Sequence, residues 1–141
     1  MSTPDPHSFC DPSQGRITHL DFHITPDFAA QVVHIRTTYH LDRPVKGSFF
    51  LDSKGLAIHR IQGEGADLRW TLDPEDPLLG QRLQLLELPG IDTFEIESTT
   101  SAEAAALQWL RPEQTQGKAH PYLYTQCQSC AARSLFPCQD T

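Results

Sequence analysis

The cysteines of this chain are placed where they could bind a metal or exchange electrons. Cys127 and Cys130 are separated by two residues, and Cys138 follows near the end of the chain. A tetrahedral zinc site needs four ligands, usually from two such pairs, so His120 would have to complete the set. A redox Cys-x-x-Cys belongs at a strand-to-helix turn of a βαβ unit. We interpret the three cysteines mainly as small, partly buried residues, with zinc and redox roles as alternatives.

Other chemistry-bearing residues do not form a complete catalytic set. His19 and His23 have the spacing of a helical metal pair, but no Glu follows His19 as a zinc-protease signature requires. Both alternate with apolar residues, which predicts solvated histidines on a strand. Glu95 and Glu97 fit an exposed strand face in the same way. Gly63-Glu64-Gly65 lacks the third glycine and the downstream helix of a nucleotide fingerprint. We therefore predict no catalytic residue and no metal ligand in this chain.

Composition narrows the possible partners. The chain has 141 residues, a formal net charge of −7 and a pI near 5.3. An acidic chain without a Lys/Arg run repels a phosphate backbone, so we expect no nucleic-acid partner. The first sixteen residues are rich in Pro, Ser and Asp and contain no apolar run, so they do not resemble a signal peptide. No segment has the length of a membrane span. The expected compartment is the cytoplasm.

Hydrophobic patterning predicts the elements that would position these side chains. From residue 16 onward, apolar and polar residues alternate with a period of two, which is typical of half-buried strands. Residues 1–15 contain three prolines and are interpreted as a flexible lead-in, followed by one domain over 16–141. The fold class is all-β, a saddle-like or sandwich arrangement of mostly antiparallel strands with an irregular C-terminal segment. The predicted strands are Arg16–Ile24, 31–41, Ser48–Leu51, Leu56–Ile61, Leu68–Leu72, Arg82–Leu88 and one around Phe94–Ile96.

The C-terminal part of the chain carries the most specific signal. Its distinctive segments are Ala105–Leu110, Pro112–Thr115, His120–Gln128 and Ala132–Thr141. Together they closely resemble the N-terminal domain of the leukotriene A-4 hydrolase group, which belongs to the zinc aminopeptidases of peptidase family M1. The resemblance is weaker but consistent upstream, at Thr18–Leu20 and Leu51–Leu56.

The resemblance implies a β domain that packs against a zinc-bearing catalytic domain and helps to wall its substrate cleft. It assigns Gln126 and Gln128 as substrate-binding residues, with Gln128 nearer the substrate's amino end. A primary amide can hold peptide groups or an amine without carrying charge. Strand alternation would place both amides on one face, with Cys127 turned away. Without the resemblance, both would be interpreted as surface glutamines.

The resemblance also implies a structural motif near the C-terminus. Arg133 and Asp140 are expected to be hydrogen-bonding anchors, and Pro137 to fix the local backbone. The family's catalytic domain, with its His-Glu-x-x-His motif, is expected to lie outside this chain. We therefore expect a domain that is inactive alone, without its own cofactor, since zinc and the peptide substrate would be bound through the catalytic domain. The alternative is a free-standing β-sandwich interaction module, which would bind a partner through the same surface.

Overall fold

Eight strands form the framework of the described part of the chain. The structure, a computed structural model, describes residues 5–141, so the first four residues of the predicted lead-in lie outside it. Residues 5–141 contain no α-helix, and the all-β prediction is confirmed. The strands are β1 (Ile17–Asp27), β2 (Val32–Ser53), β3 (Ala57–Gly63), β4 (Ala66–Asp67), β5 (Arg69–Leu72), β6 (Gln81–Thr99), β7 (Leu107–Leu110) and β8 (Tyr122–Thr125), with 3-10 turns at Pro112–Gln114 and Ala132–Ser134.

The strands form two antiparallel sheets. The larger sheet has the order β1-β2-β6-β3-β4, and β5 also pairs with β6. The smaller sheet consists of β7 and β8, whose connection spans residues 111–121. Antiparallel sheets commonly bury one face and hydrate the other, which explains the alternation in the sequence. No helix within residues 5–141 is long and apolar enough to cross a membrane.

Two strands are much longer than the sequence pattern predicts. The predicted end of the strand Arg82–Leu88 is wrong, because β6 continues through Pro89 and Gly90. In the same way, β2 continues from the second predicted strand into the third. Pairing between β2 and β6 is irregular at this point, where Lys46 faces Pro89. Such an irregularity accommodates a proline that cannot donate to the ladder, and Gly90 takes a φ of +89°.

The core lies against one face of the larger sheet. Tyr39 of β2 stacks on Phe94 of β6, with 4.7 Å between ring centroids, and both side chains are buried. Alternate residues of these two long strands supply most of the remaining core, as period-two packing requires. Its other β2 and β6 members are Leu41, Val45, Phe49, Leu51, Leu83, Leu85, Leu88, Ile91 and Ile96.

Histidines lie on the opposite, hydrated face of the same sheet. His19 and His40 both contact the carboxylate of Asp21, at 3.2 and 2.8 Å. His34 and His59 both contact the hydroxyl of Thr99, at 2.9 and 2.7 Å. Each pair of histidines thus shares a hydrogen-bond partner on this face, and His19 is exposed on a strand, which agrees with its interpretation from the sequence.

Candidate functional site

The β7–β8 hairpin presents the C-terminal polar and aromatic residues. Leu123 of β8 packs on a small buried cluster that contains Val33 and Ile35, and so fixes the hairpin to the larger sheet. Tyr122 and Tyr124 alternate with Leu123 and are exposed. The hairpin is therefore amphipathic, with one face fixed to the domain and the other directed away from it.

Gln126 and Gln128 lie directly after this hairpin. The prediction of a strand running through both residues is wrong, because β8 ends at Thr125. The Gln126 backbone N–H still donates to the Ala106 carbonyl at 2.9 Å. The Gln126 side-chain oxygen then accepts the N–H of Gln128 at 2.9 Å and turns the chain out of the strand. Local side-chain bonds of this kind compete with strand pairing.

The two amides are nevertheless directed to solvent. Gln126 and Gln128 are exposed, and Cys127 between them is half-buried. Within residues 5–141, the Gln128 side-chain amide makes no hydrogen bond, and only the oxygen of the Gln126 amide is used. The site therefore offers two N–H₂ groups and one carbonyl oxygen for an outside ligand.

A buried arginine fixes the turn that follows these amides. The Arg133 side chain is only 1 % exposed. Its guanidinium donates to the Asp140 carboxylate at 3.0 Å, to the Leu79 carbonyl at 2.8 Å and to the His7 carbonyl at 2.7 Å. One side chain thus joins the C-terminal turn, the loop before β6 and the N-terminal segment. A buried charge is stable in such a place only when it is paired and hydrogen-bonded.

A second buried charge, Asp52, completes this arrangement, and the sequence analysis did not find it. Its carboxylate accepts the backbone N–H of Phe9 at 2.7 Å and of Asp140 at 3.1 Å, and the hydroxyl of Ser8 at 2.5 Å. Its backbone exchanges two hydrogen bonds with Cys138, at 2.8 and 3.0 Å. The one sequence feature that could have indicated this role is the position of Asp52 directly after Leu51, the last apolar residue of the predicted strand Ser48–Leu51.

The structure brings the three residues of the predicted structural motif close together. Arg133 and Asp140 form a direct ion pair, and the Pro137 carbonyl accepts the hydroxyl of buried Tyr39. The loop between Gln126 and Arg133 is closed by a bond from the Ala131 N–H to the Cys127 carbonyl at 3.0 Å. The exposed amides therefore stand on a loop whose far end is fixed by buried polar contacts.

The cysteines are free thiols in different surroundings, and residues 5–141 contain no group of three or more side chains placed to hold a metal ion. Burial, and then the nearby Asp52 charge, raise the pKa of Cys10 to about 12. Burial also raises the pKa of Cys138, together with the charges of Asp140 and Asp52. Cys130 is exposed. These positions do not fit a zinc centre built from the cysteines.

We expect the four thiols to react with a disulfide reagent in distinct phases. Cys130 should react first because it is exposed, and Cys127 more slowly because burial and then Asp140 raise its pKa. Cys10 and Cys138 should react only as the chain unfolds, since the thiolate is the nucleophile and both pKa values are raised. Stopped-flow kinetics in mildly alkaline buffer, with and without guanidinium chloride, measure this. Cys130→Ser should remove the fast phase, and a fast phase that persists would contradict the assignment.

Comparisons with known proteins place this geometry in context. No family profile matches the chain. Leukotriene A-4 hydrolase of Xenopus laevis is 37% identical over 145 residues, which covers 97% of this chain and 24% of the relative. Leucine aminopeptidase 2 of Ajellomyces capsulatus is 42% identical over 96 residues, covering 64% of this chain and 15% of the relative. The matches fall in the N-terminal region of such enzymes, and the chain spans about a quarter or less of their length.

Solved structures share the fold. A yeast leukotriene A-4 hydrolase in complex with bestatin superposes with a TM-score of 0.90 at 26% identity, over 99% of this chain and 23% of that one. An M1 zinc metallopeptidase from Deinococcus radiodurans superposes with a TM-score of 0.62 at 15% identity, over 90% of this chain and 29% of that one. At that identity, the second likeness concerns the fold alone.

Proposed function

Because this chain belongs to the leukotriene A-4 hydrolase group of the M1 zinc aminopeptidases, we propose that it acts as a non-catalytic N-terminal domain that contributes Gln126 and Gln128 to the substrate cleft. The observation that carries the proposal is the pair of exposed amides on a loop fixed by buried contacts. A cleft wall needs groups held in place before the substrate arrives, because ordering them on binding costs free energy.

The chemistry of the loop supports a role in binding rather than in bond cleavage. From Pro121 to Ala132 the chain contains no Asp, Glu, Lys or Arg, although its net charge is −7. A neutral amide can accept from a substrate's amino group or donate to its carbonyl without becoming a competing zinc ligand. Gln128, whose amide has no partner within residues 5–141, is the better candidate for the substrate's amino end.

The catalytic steps are assigned to parts of such an enzyme outside this chain. Zinc supplies Lewis acidity and an activated water in metallopeptidases. This chain has no His-Glu-x-x-His sequence, and residues 5–141 hold no three-ligand group. We propose that peptide substrates are cleaved only when a zinc-bearing catalytic region is joined to this domain. Four free thiols are consistent with a cytoplasmic enzyme.

The cleft role can be tested in a chimera. The chain would replace the corresponding region of the yeast leukotriene A-4 hydrolase, with which it superposes along 99% of its length. In this chimera we expect Gln128→Ala to lower kcat/KM for aminoacyl-anilides about 10- to 100-fold, the loss of one hydrogen bond to a charged group. Steady-state kinetics on purified, zinc-loaded protein measure the effect.

A matched variant separates a cleft role from general damage. Gln116→Ala removes another exposed amide, from the connection between β7 and β8, and should leave kcat/KM unchanged. Equal kinetics for Gln128→Ala and Gln116→Ala would contradict the cleft assignment.

A separate assay would use the 141-residue chain alone with added zinc. Turnover that persists after repurification and disappears with a chelator would contradict the non-catalytic assignment.

A further inference from the structure

The loop that carries the two amides, residues 126–131, is attached to the domain at both ends. At its start, the Gln126 N–H donates to the Ala106 carbonyl at 2.9 Å. At its end, the Ala131 carbonyl accepts the Ser134 hydroxyl at 2.7 Å. The oxygen of the same hydroxyl accepts the Ala106 N–H at 3.0 Å. Both ends of this amide loop are therefore joined to one residue, Ala106, which directly precedes β7.

Ser134 makes the second attachment from inside the domain. Ser134 is 2% exposed and Ala106 is 0% exposed. Within residues 5–141, the Ala106 N–H forms no other hydrogen bond. The Ala131 carbonyl also accepts the Ser134 backbone N–H at 3.0 Å, so the distinct contribution of the hydroxyl is the connection to Ala106. A substitution that removes this hydroxyl would leave a buried N–H without an acceptor, which is costly.

Ser134 and its neighbour Arg133 hold different parts of the structure. The Arg133 guanidinium donates to Asp140, Leu79 and His7, all of which lie outside the amide loop. In the part of the chain that the structure describes, the Ser134 hydroxyl is the only side-chain group outside the loop that forms a hydrogen bond to it. Arg133 therefore holds the turn on the domain, whereas Ser134 holds the loop on the β7–β8 hairpin.

Gln128 lies in the middle of the attached loop. Its backbone N–H donates to the Gln126 side-chain oxygen at 2.9 Å, but its own side-chain amide has no partner within residues 5–141. The direction of this amide is therefore set by the loop backbone and not by contacts of the side chain. A binding group that must be ordered when its ligand arrives binds more weakly than one that is already in place.

We propose that Ser134 is a positioning residue, whose buried hydroxyl joins the amide loop to Ala106 and thereby holds Gln128 ready for the substrate. The inference rests on the proposed function, which makes Gln128 a substrate-binding residue. Because Ser134 is buried, it acts through the loop and not by contact with the substrate. Its loss should weaken substrate binding and leave unchanged the chemical step, which the proposed function assigns to the catalytic region.

The first test is kinetic and uses the chimera with yeast leukotriene A-4 hydrolase. Ser134→Ala should raise KM for aminoacyl-anilides about 3- to 10-fold, the cost of ordering the loop on binding, with kcat unchanged. Ser98→Ala is the matched control, because Ser98 is also 2% exposed and its hydroxyl has no partner in the described residues. It should change neither constant. The double variant Ser134→Ala with Gln128→Ala should lower kcat/KM by less than the product of the two single reductions, since both substitutions act through one amide.

The second test follows the loop itself by NMR relaxation in the isotope-labelled 141-residue chain. In the unmodified chain, the backbone N–H order parameters of residues 127–131 should be about 0.85, the value of rigid backbone. In Ser134→Ala they should fall below about 0.6, whereas Ser98→Ala should leave them unchanged. The measurement on the unmodified chain does not depend on any variant, and values already below about 0.6 there would overturn the positioning role.

The outcomes distinguish this inference from the cleft role. A lower kcat/KM in Gln128→Ala, beside an unchanged KM in Ser134→Ala, would overturn the positioning role and leave the cleft role standing. An equal rise in KM for Ser98→Ala, or fully multiplicative losses in the double variant, would also overturn it and indicate general damage. Unchanged kinetics in Gln128→Ala, with order parameters that still fall in Ser134→Ala, would overturn the cleft role and leave Ser134 as an anchor of the loop alone.

Discussion

Arg133→Met is expected to lower the free energy of unfolding by about 3–5 kcal/mol, the cost of removing one partner from a buried ion pair. The methionine keeps most of the side-chain volume but loses all donors, so Asp140, Leu79 and His7 each lose a hydrogen bond. The Asp52 carboxylate, 3.9 Å from the guanidinium, also loses its nearest cation. Chemical denaturation followed by circular dichroism measures the loss. Native domains are stable by about 5–15 kcal/mol, so this loss removes a large share of the total and should lower the denaturation midpoint markedly.

The control is the same substitution in an exposed pair. Arg69 lies 2.9 Å from Glu87, and both side chains are more than 70% exposed (74% and 72%). Exposed ion pairs contribute about 0–1 kcal/mol, so Arg69→Met should lower the free energy of unfolding by no more than that amount. A double-mutant cycle of Arg133→Met with Asp140→Asn isolates their coupling, which should exceed about 1 kcal/mol. Similar losses for Arg133→Met and Arg69→Met would show that the buried contacts do not stabilise the chain.

Local patterns in the sequence predict much of this fold. Alternation along Ile17–Ile24 and Val33–Leu41 predicts two antiparallel strands, which the structure contains within β1 and β2 respectively. The predicted burial of one face holds for β2 but not for β1, where Phe22 and Ile24 are exposed. The period of two is a local property, since successive side chains point to opposite faces of a strand. The same argument predicts His19 and His23 as exposed strand residues rather than a metal pair. The association of Arg133 with Asp140 came from the family resemblance, not from periodicity.

Other features depend on partners far away in the sequence. Pro89 does not end β6, because the opposing β2 shifts its register at Lys46 to accommodate it. Asp52 holds the fold together only because residues 8–10 and 138–140 pack against it. These segments are far from residue 52 in the sequence, so no local pattern around Asp52 predicts the contacts. The turn at Gln126 arises when its own side chain replaces a strand partner. The sequence therefore predicts where side chains alternate, but not where a strand stops or which distant segment covers its end.

Gly80→Ala is the second substitution with a large expected effect, about 2–5 kcal/mol of lost stability. Gly80 is buried at a φ of +84°, where an L side chain costs about 1–2 kcal/mol. An added Cβ would overlap the Ser53 carbonyl oxygen and lie 2.9 Å from the Cβ of Lys54. Overpacking of this kind costs about 1–3 kcal/mol more. The Gly80 loop also carries the Leu79 carbonyl that accepts from Arg133, so a shift should loosen that contact.

Gly65→Ala separates the two causes of the expected loss of stability, which are the strained backbone conformation and the overlap of the added Cβ with its neighbours. Gly65 has a similar φ of +76°, but a Cβ there would meet nothing within 4 Å. It should therefore cost only the conformational part, about 1–2 kcal/mol. Equal losses for the two variants would mean that close packing against Ser53 is unimportant. If a shift of the Gly80 loop weakens the Arg133 contact, the double variant Gly80→Ala with Arg133→Met should lose less stability than the sum of the two single losses. The double variant Gly65→Ala with Arg133→Met should lose the sum of its two single losses. Denaturation of the three single and two double variants decides between these results.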